Sequence, residues 1–478
     1  MDPAQFRVDA TKVIGPLLHS WEHTVGSCHA PLALRADWQS QLRLCHEELG
    51  FQYVRFHGLL SDDVGVVVRR NDRLLFSFFN TDQIFDFLLS IGMRPFIELS
   101  FMPETLASGR TTVFHYRANV TPPKSYEEWS TLISRLVGHW TERYGIDEVR
   151  HWFFEVWNEP NLQIFWDGTR EEYFELYRHA AQAIKGTDVG LKVGGPATAK
   201  EEWIEEFLDF CQQRRLPVDF ISTHHYPNDV IWYENQDTET QLANSKRSIL
   251  REWTENACRR SRGLPVYYTE WNCSSNGRFR LQDDPYAAAF VTKTIMESAH
   301  LVEAYSFWTF SDIFEEDYFP SVPFHGGFGL LNIHGIPKPT YRAFELLHAL
   351  GNERLFVQGQ HPTLDAWAVR NDRGLTLLIT NHALPRQQIN EVAVLLEIEG
   401  LSPPRSVTIE RIDEDHANPK QAWVEMGRPE YLSRDRVQHL VQASRTLKTT
   451  QSWHVKDNKT CLNVKLPPHA VASITLGS

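Results

Sequence analysis

Short apolar segments and amphipathic stretches alternate along most of the chain. Seven segments, YVRFHG (53–58), RPFIELSF (94–101), VRHWFFEVWNEP (149–160), GLKVGGP (190–196), VDFISTHHYP (218–227), LPVYYTEWN (264–272) and AYSFWTFSD (304–312), recur at intervals of about 40 residues. That interval fits one strand, one helix and two loops. An eighth segment, VIGPLLHSW (13–21), precedes them and reads as the first strand. Between them lie TDQIFDFLLSIG, SYEEWSTLISRLVGHWTERYG, REEYFELYRHAAQAIKG and EEWIEEFLDFCQQRR, with apolar residues every three to four positions and often a glycine at the end. Eight strands alternating with helices predict an α/β chain built as a (β/α)8 TIM barrel. The competing open, doubly wound sheet would want G-x-G-x-x-G or G-x-x-x-x-G-K-[ST] behind a strand, and neither occurs.

After about residue 350 the period changes to two. DAWAVR, LTLLITNHA, EVAVLLEIEG, RSVTIERID, CLNVKLPP and AVASITLGS are separated by Pro, Gly and Asn, the pattern of an antiparallel β-sandwich. QFRVDA (5–10) lies before the barrel and is a candidate to pair into that module. The expected division is a catalytic barrel over 13–348 and an accessory β-sandwich from 1–12 plus 349–478. No Gly/Ser-rich linker separates them, so a rigid interface is expected.

Composition narrows the partners. Of 478 residues, 42% are hydrophobic and 23% charged, and no apolar run approaches the roughly 18–20 residues that span a bilayer, so no membrane partner is expected. A net charge of −13 has the wrong sign for neutralising phosphates, which argues against nucleic acid. The start, MDPAQFRVDA, lacks a basic segment followed by an apolar one, so a cytoplasmic location is expected and the sequons at Asn119, Asn272 and Asn458 carry little weight. Six cysteines (Cys28, Cys45, Cys211, Cys258, Cys273, Cys461) form no Cys-x-x-Cys pair, which suits packed thiols and neither a zinc ribbon nor a disulfide framework.

In such a barrel the chemistry sits where the strands exit. His57 leaves the second strand, Glu98 the third, Asn158 and Glu159 the fourth, His224 and Tyr226 the sixth, Glu270 the seventh, and Trp308, Asp312, Glu315 and Glu316 the eighth. No G-x-S-x-G is present for a serine hydrolase. His224 and His225 are adjacent and point to opposite faces of a strand, so no metal site and no cofactor is expected. Two carboxylates facing each other across a barrel mouth are what glycoside hydrolysis requires, and Glu159 and Glu270 are the natural pair. Aromatic residues make up 12% of the chain; Trp157, Trp271, Trp308, Tyr226 and Phe307 fall beside the two glutamates and are candidates for stacking on sugar rings.

Asn-Glu-Pro on strand four with a glutamate on strand seven resembles the retaining glycoside hydrolases of clan A. The segments FHGLLSDD (56–63), FFEVWNEPNL (153–162), STHHYP (222–227), YYTEWN (267–272), FWTFSDIFEE (307–316) and PFHGGFGLLN (323–332) resemble one family within it, glycoside hydrolase family 39, which includes β-xylosidases and lysosomal α-L-iduronidases. The resemblance implies that Glu159 is the general acid/base and Glu270 the nucleophile. It places His57, Asn158, His224, Tyr226, Trp308 and Glu316 around the sugar; Glu315 and Glu316 are interchangeable by sequence, and family spacing favours Glu316. The implied partner is a small oligosaccharide, with oligomeric state left open. The implied activity is exo-release of a neutral pentose, β-D-xylose first and α-L-arabinose as its rival, because the strand-end segments hold no Arg or Lys for a uronate. A non-catalytic carbohydrate-binding barrel would lack one of the two carboxylates, and both are present.

Overall fold

The computed structural model describes residues 3–229, 236–317, 320, 322–371 and 374–477. Eight parallel strands close a barrel: β1 (Thr24–His29), β2 (Tyr53–His57), β3 (Arg94–Leu99), β4 (Phe153–Val156), β5 (Lys192–Ala199), β6 (Phe220–His224), β7 (Val266–Trp271) and β8 (Ala304–Phe307). Closure is made where Phe307 of β8 pairs with Val25 of β1. Seven of the eight expected strands stand where the apolar segments put them. The first does not: residues 13–16 end a long strand, Ala4–Pro16, that belongs to the accessory sheet, and Ser20–Glu22 form a short 3-10 turn. The true first strand, TVGSCH, is small, mixed in polarity and wholly buried, so it carries no hydrophobic alternation by which to find it.

The barrel interior is layered with period two. Tyr53, Phe96, Phe153, Phe220, Tyr267 and Ala304 form an apolar floor. Two residues further along the same strands stand Arg55, Glu98, Glu155, Ser222, Thr269 and Ser306, all buried. A polar layer sealed beneath by aromatic rings is thus set by strand parity alone.

The accessory module is a single ten-stranded sheet, with Ala4–Pro16 lying between Glu353–Gln358 and Val392–Glu399. Thr449–Thr450 and Trp453–Lys456 occupy opposite ends of the strand order yet are two residues apart in the chain, so the sheet must curl until its edges meet. The curl wraps one apolar cluster that draws on strands from both ends, including Ile409, Leu396 and Leu462. Two helices that the period-two reading did not anticipate, Pro419–Glu425 and Arg434–Ala443, are inserted here and cover Phe324 and Ile336 with Trp423 and Leu440. Among the described residues no helix is long and apolar enough to cross a membrane.

A buried charge cluster fastens the loop after β8. Lys338 Nζ lies 2.7 Å from Asp283 and 2.6 Å from Asp312, with all three side chains fully buried, and it also donates to the Gly327 carbonyl. Asp283 accepts from the Gly326 amide and Asp312 from the Gly329 amide. A Cβ at Gly329 would stand 2.3 Å from the Asp312 nitrogen, so only glycine fits that approach. Lys338→Met leaves two uncompensated buried carboxylates. It should cost about 3–5 kcal/mol, read as a lowered urea midpoint, and loosen the loop that carries Phe328.

Candidate active site

Three of the strand exits aim side chains into the mouth through local irregularity or close packing. On β7 the inward positions are Tyr267 and Thr269, so regular alternation would turn Glu270 outward. The ladder between β6 and β7 slips there, with Thr223 opposite Tyr268 but His224 opposite Glu270, and the extra residue swings Glu270 inward beside Thr269. After β4, Trp157 and Glu159 hold left-handed backbone conformations (φ 73° and 43°), which let Asn158 and Glu159 both reach the site. At β8, Trp308 is seated against Gly26 of β1, where a Cβ would stand 2.5 Å from its ring.

The mouth encloses a cavity of about 210 Å³ lined by His57, Asn158, Glu159, Tyr226, Glu270, Trp308 and Glu316. Seven of the eight residues expected there from sequence therefore meet at one cavity. The eighth, His224, lies directly behind, its Nδ1 2.9 Å from Glu159 Oε1. One atom each of Glu159, His224 and Glu270 lies within 4.8 Å of the other two, so the two carboxylates approach to that distance. By spacing this is also the one His/carboxylate group among the described residues that could hold a metal ion. Its atoms already have partners: Glu270 accepts from Arg55 Nη1 at 2.8 Å and from the Tyr226 hydroxyl at 2.9 Å.

Arg55, fully buried, is the hub. It lies 2.8 Å from Glu98, 2.6 Å from Glu155 and 2.8 Å from Glu270. It also donates to Asn158 Oδ1 at 3.0 Å, leaving the amide NH2 of Asn158 as a donor toward the cavity. Glu98 bonds His57 Nδ1 at 2.8 Å, so this carboxylate, unassigned from sequence, orients His57 and Arg55. Burial opposes charge on His57, but Glu98 and Glu270 outweigh it and hold the imidazole up to about 9, a cation at neutral pH. At His224 burial prevails and pushes the imidazole down to about 4, with Arg55 adding to it, although Glu270, Glu155 and Glu98 oppose. Burial pushes Glu159 up to about 7; Glu98 adds to this, while His57, Arg55 and Lys200 oppose it. Glu316 is pushed up to about 8, chiefly by burial, with Glu270 and Glu159 adding.

The ambiguity between Glu315 and Glu316 is resolved by His29. Its Nδ1 bonds Glu315 at 2.7 Å, turning that side chain away, while Glu316 lines the cavity 3.7 Å from His57 Nε2. Asp312 belongs to the Lys338 cluster and not to the cavity wall.

Two expectations are corrected. Trp157 packs on Phe101 and Trp166, and Trp271 on Tyr305 and Phe307, so of the five stacking candidates only Trp308 and Tyr226 reach the cavity. Strand parity and the register slip send the others outward into the core. The absence of a cation from the strand-end segments also does not hold for the site, since Lys200, just past β5, lines the cavity. Sequence reasoning missed Arg55, Thr269, Lys200, Phe165 and Phe328. An arginine inside the apolar run YVRFHG was the available signal for Arg55, because arginine is seldom buried without partners. A larger cavity of about 820 Å³ lies in the seam between barrel and sheet and shares no lining residue with this one.

The profile of Glycosyl hydrolases family 39 matches residues 4–460. A beta-xylosidase of Caldicellulosiruptor saccharolyticus is 52% identical over 471 residues, 97% of this chain and 96% of that one. A beta-xylosidase of Geobacillus stearothermophilus is 39% identical, covering 90% of this chain and 88% of its own. Among solved structures, a monomeric beta-xylosidase from Caulobacter crescentus superposes with a TM-score of 0.87 at 30% identity, covering 99% of each chain.

Proposed function

The chain belongs to glycosyl hydrolase family 39 and is a glycosidase, and from that premise we propose that it releases β-D-xylose from the non-reducing end of xylo-oligosaccharides with retention of configuration. The observation that carries this is the approach of Glu159 and Glu270 to within 4.8 Å in a small enclosed cavity. Retaining enzymes hold the pair about 5–5.5 Å apart, and inverting ones about 6.5–9.5 Å to admit a water. The cavity of about 210 Å³ suits one sugar ring, and it adjoins a cleft of about 680 Å³ through Ile164, Ser275, Glu316 and Phe328, where the rest of an oligosaccharide would lie.

On this reading Glu270 attacks the anomeric carbon while Glu159 protonates the departing oxygen; Glu159 then takes a proton from the water that releases the sugar. Arg55 and Tyr226 hold the two oxygens of Glu270 in place. The Asn158 amide is free to donate to the sugar 2-hydroxyl, a bond that strengthens as positive charge develops at the ring. Lys200 acts on the charge of Glu159, on the leaving-group side. Arg55 is fully committed to its carboxylates, but Lys200 stands in the cavity as a cation, so the preference for a neutral pentose rests on the similarity to the two beta-xylosidases and not on a lack of positive charge. Functionally, we assign catalysis to the barrel through residue 348 and an accessory role to the sheet formed by the N-terminal strand and residues 349–478.

A panel of nitrophenyl glycosides tests the reading. The β-xyloside should be cleaved fastest; preference for the α-L-arabinoside would replace xylose by its rival, and no cleavage of any member would overturn the proposal. The pH dependence follows from Glu159. Its protonated form is the active one, so kcat/KM on xylobiose should fall as pH rises through about 7. Glu159→Gln should abolish that limb.

A further inference from the structure

His224 is the sole hydrogen-bond partner of the Glu159 carboxyl among the described residues. Behind it, His224 Nε2 lies 3.0 Å from the Thr269 hydroxyl, which in turn donates to Glu155 Oε1 at 2.8 Å. His224, Thr269 and Glu155 are all completely buried, so no bulk water intervenes. The protons in this chain can be counted. Glu155, with Arg55 2.6 Å from its other oxygen, is a carboxylate and only accepts. Thr269 has one hydrogen and gives it to Glu155, so it offers His224 only a lone pair. His224 must therefore carry its ring proton on Nε2, which leaves Nδ1 a bare acceptor. A bare nitrogen 2.9 Å from a carboxyl oxygen makes a hydrogen bond only when that oxygen carries a proton. The doubly protonated imidazole that would reverse this is disfavoured, because burial pushes His224 down to about 4.

We infer that Thr269 and Glu155 are positioning residues that fix the Nε2–H tautomer of His224 and so keep the transferable proton on Glu159. The inference rests on Glu159 being the acid/base. It matters because that proton is contested. Facing Glu159 are Arg55 and His57 from β2, Glu98 from β3, Lys200 after β5, Tyr226 after β6, Glu270 from β7 and Glu316 after β8. Arg55, His57 and Lys200 favour the ionised form. The same arrangement serves the second half of the cycle: a bare Nδ1 facing an ionised Glu159 is repulsive, which makes that carboxylate a stronger base toward the incoming water.

Thr269→Val keeps the shape and removes the lone pair, freeing His224 to place its proton on Nδ1 and donate to an ionised Glu159. The alkaline limb of kcat/KM on xylobiose should then move down by about one pH unit, which is about a tenfold loss above the limb, and Thr269→Ser should restore it. A folded Thr269→Val whose limb is unmoved, or a serine variant that behaves as valine does, overturns the inference. A second measurement does not depend on turnover. The ring 15N shifts of His224 in the unmodified enzyme should show Nδ1 unprotonated, and a protonated Nδ1 overturns the inference. If the enzyme cleaves no glycoside at all, the functional reading fails and the 15N shifts alone decide the tautomer.

Discussion

Glu270→Ala is expected to abolish turnover on every glycoside, including those with activated leaving groups, because no other group can form the covalent intermediate. Glu159→Ala should behave differently. Its loss on xylobiose should reach about 10²–10⁴-fold, the worth of general acid catalysis, yet it should still form the glycosyl-enzyme from dinitrophenyl xyloside, whose leaving group needs no proton. Azide should then rescue its turnover by attacking that intermediate. Steady-state rates with and without azide on the two substrates check the division of roles. Equal, unrescued losses in both variants would contradict it. The structural ground is asymmetry of environment: Glu270 is held by two donors, Arg55 and Tyr226, whereas burial pushes Glu159 up to about 7. On the proposed mechanism, this asymmetry is what suits two carboxylates within 4.8 Å to opposite tasks.

The largest effect on stability should come from Arg55→Met. Arg55 lies within 2.8 Å of three carboxylates, Glu98, Glu155 and Glu270, with itself, Glu98 and Glu155 wholly buried. Removing the shared cation leaves these charges in a cavity sealed below by the aromatic floor. The cost should be about 3–5 kcal/mol or more, seen as a lowered denaturant midpoint or failure to accumulate as folded protein. Arg55→Lys separates charge from geometry. It keeps the cation but cannot fork to several partners, so it should recover much of the stability while kcat/KM stays down by about a hundredfold, the scale of an ångström of misplacement. A stable Arg55→Met with unchanged activity would show that the hub does not organise the site.

Much of the site is legible in the linear sequence because strand exits put chemistry at fixed points. Asn158-Glu159-Pro160 follows an aromatic strand and Thr269-Glu270-Trp271 ends one, and both glutamates reach the mouth. The tryptophans beside them were not legible in the same way. Trp157 and Trp271 are neighbours of Asn158 and Glu270 in sequence, yet they point into the core. Adjacency along a strand means opposite faces, unless the backbone slips or turns left-handed, and local sequence does not announce either event.

Alternation of apolar segments and helical stretches determined seven barrel strands, the change to period two determined the accessory β module, and the scarcity of other nucleophiles and metal ligands at the strand exits determined the carboxylate pair. These are local properties, set by side-chain periodicity and residue chemistry. Tertiary structure alone decided three further points. Glu316 and not Glu315 lines the cavity, because His29 from β1 captures the latter. Glu270 faces inward, because the β6–β7 ladder slips by one residue. Glu159 can hold a proton near neutrality, because burial strips its solvation while Glu155, Thr269 and His224 line up behind it from three different strands. Each of these depends on groups distant in sequence meeting in a space from which water is excluded, where a single hydrogen bond or a lost hydration shell outweighs the intrinsic preference of the residue.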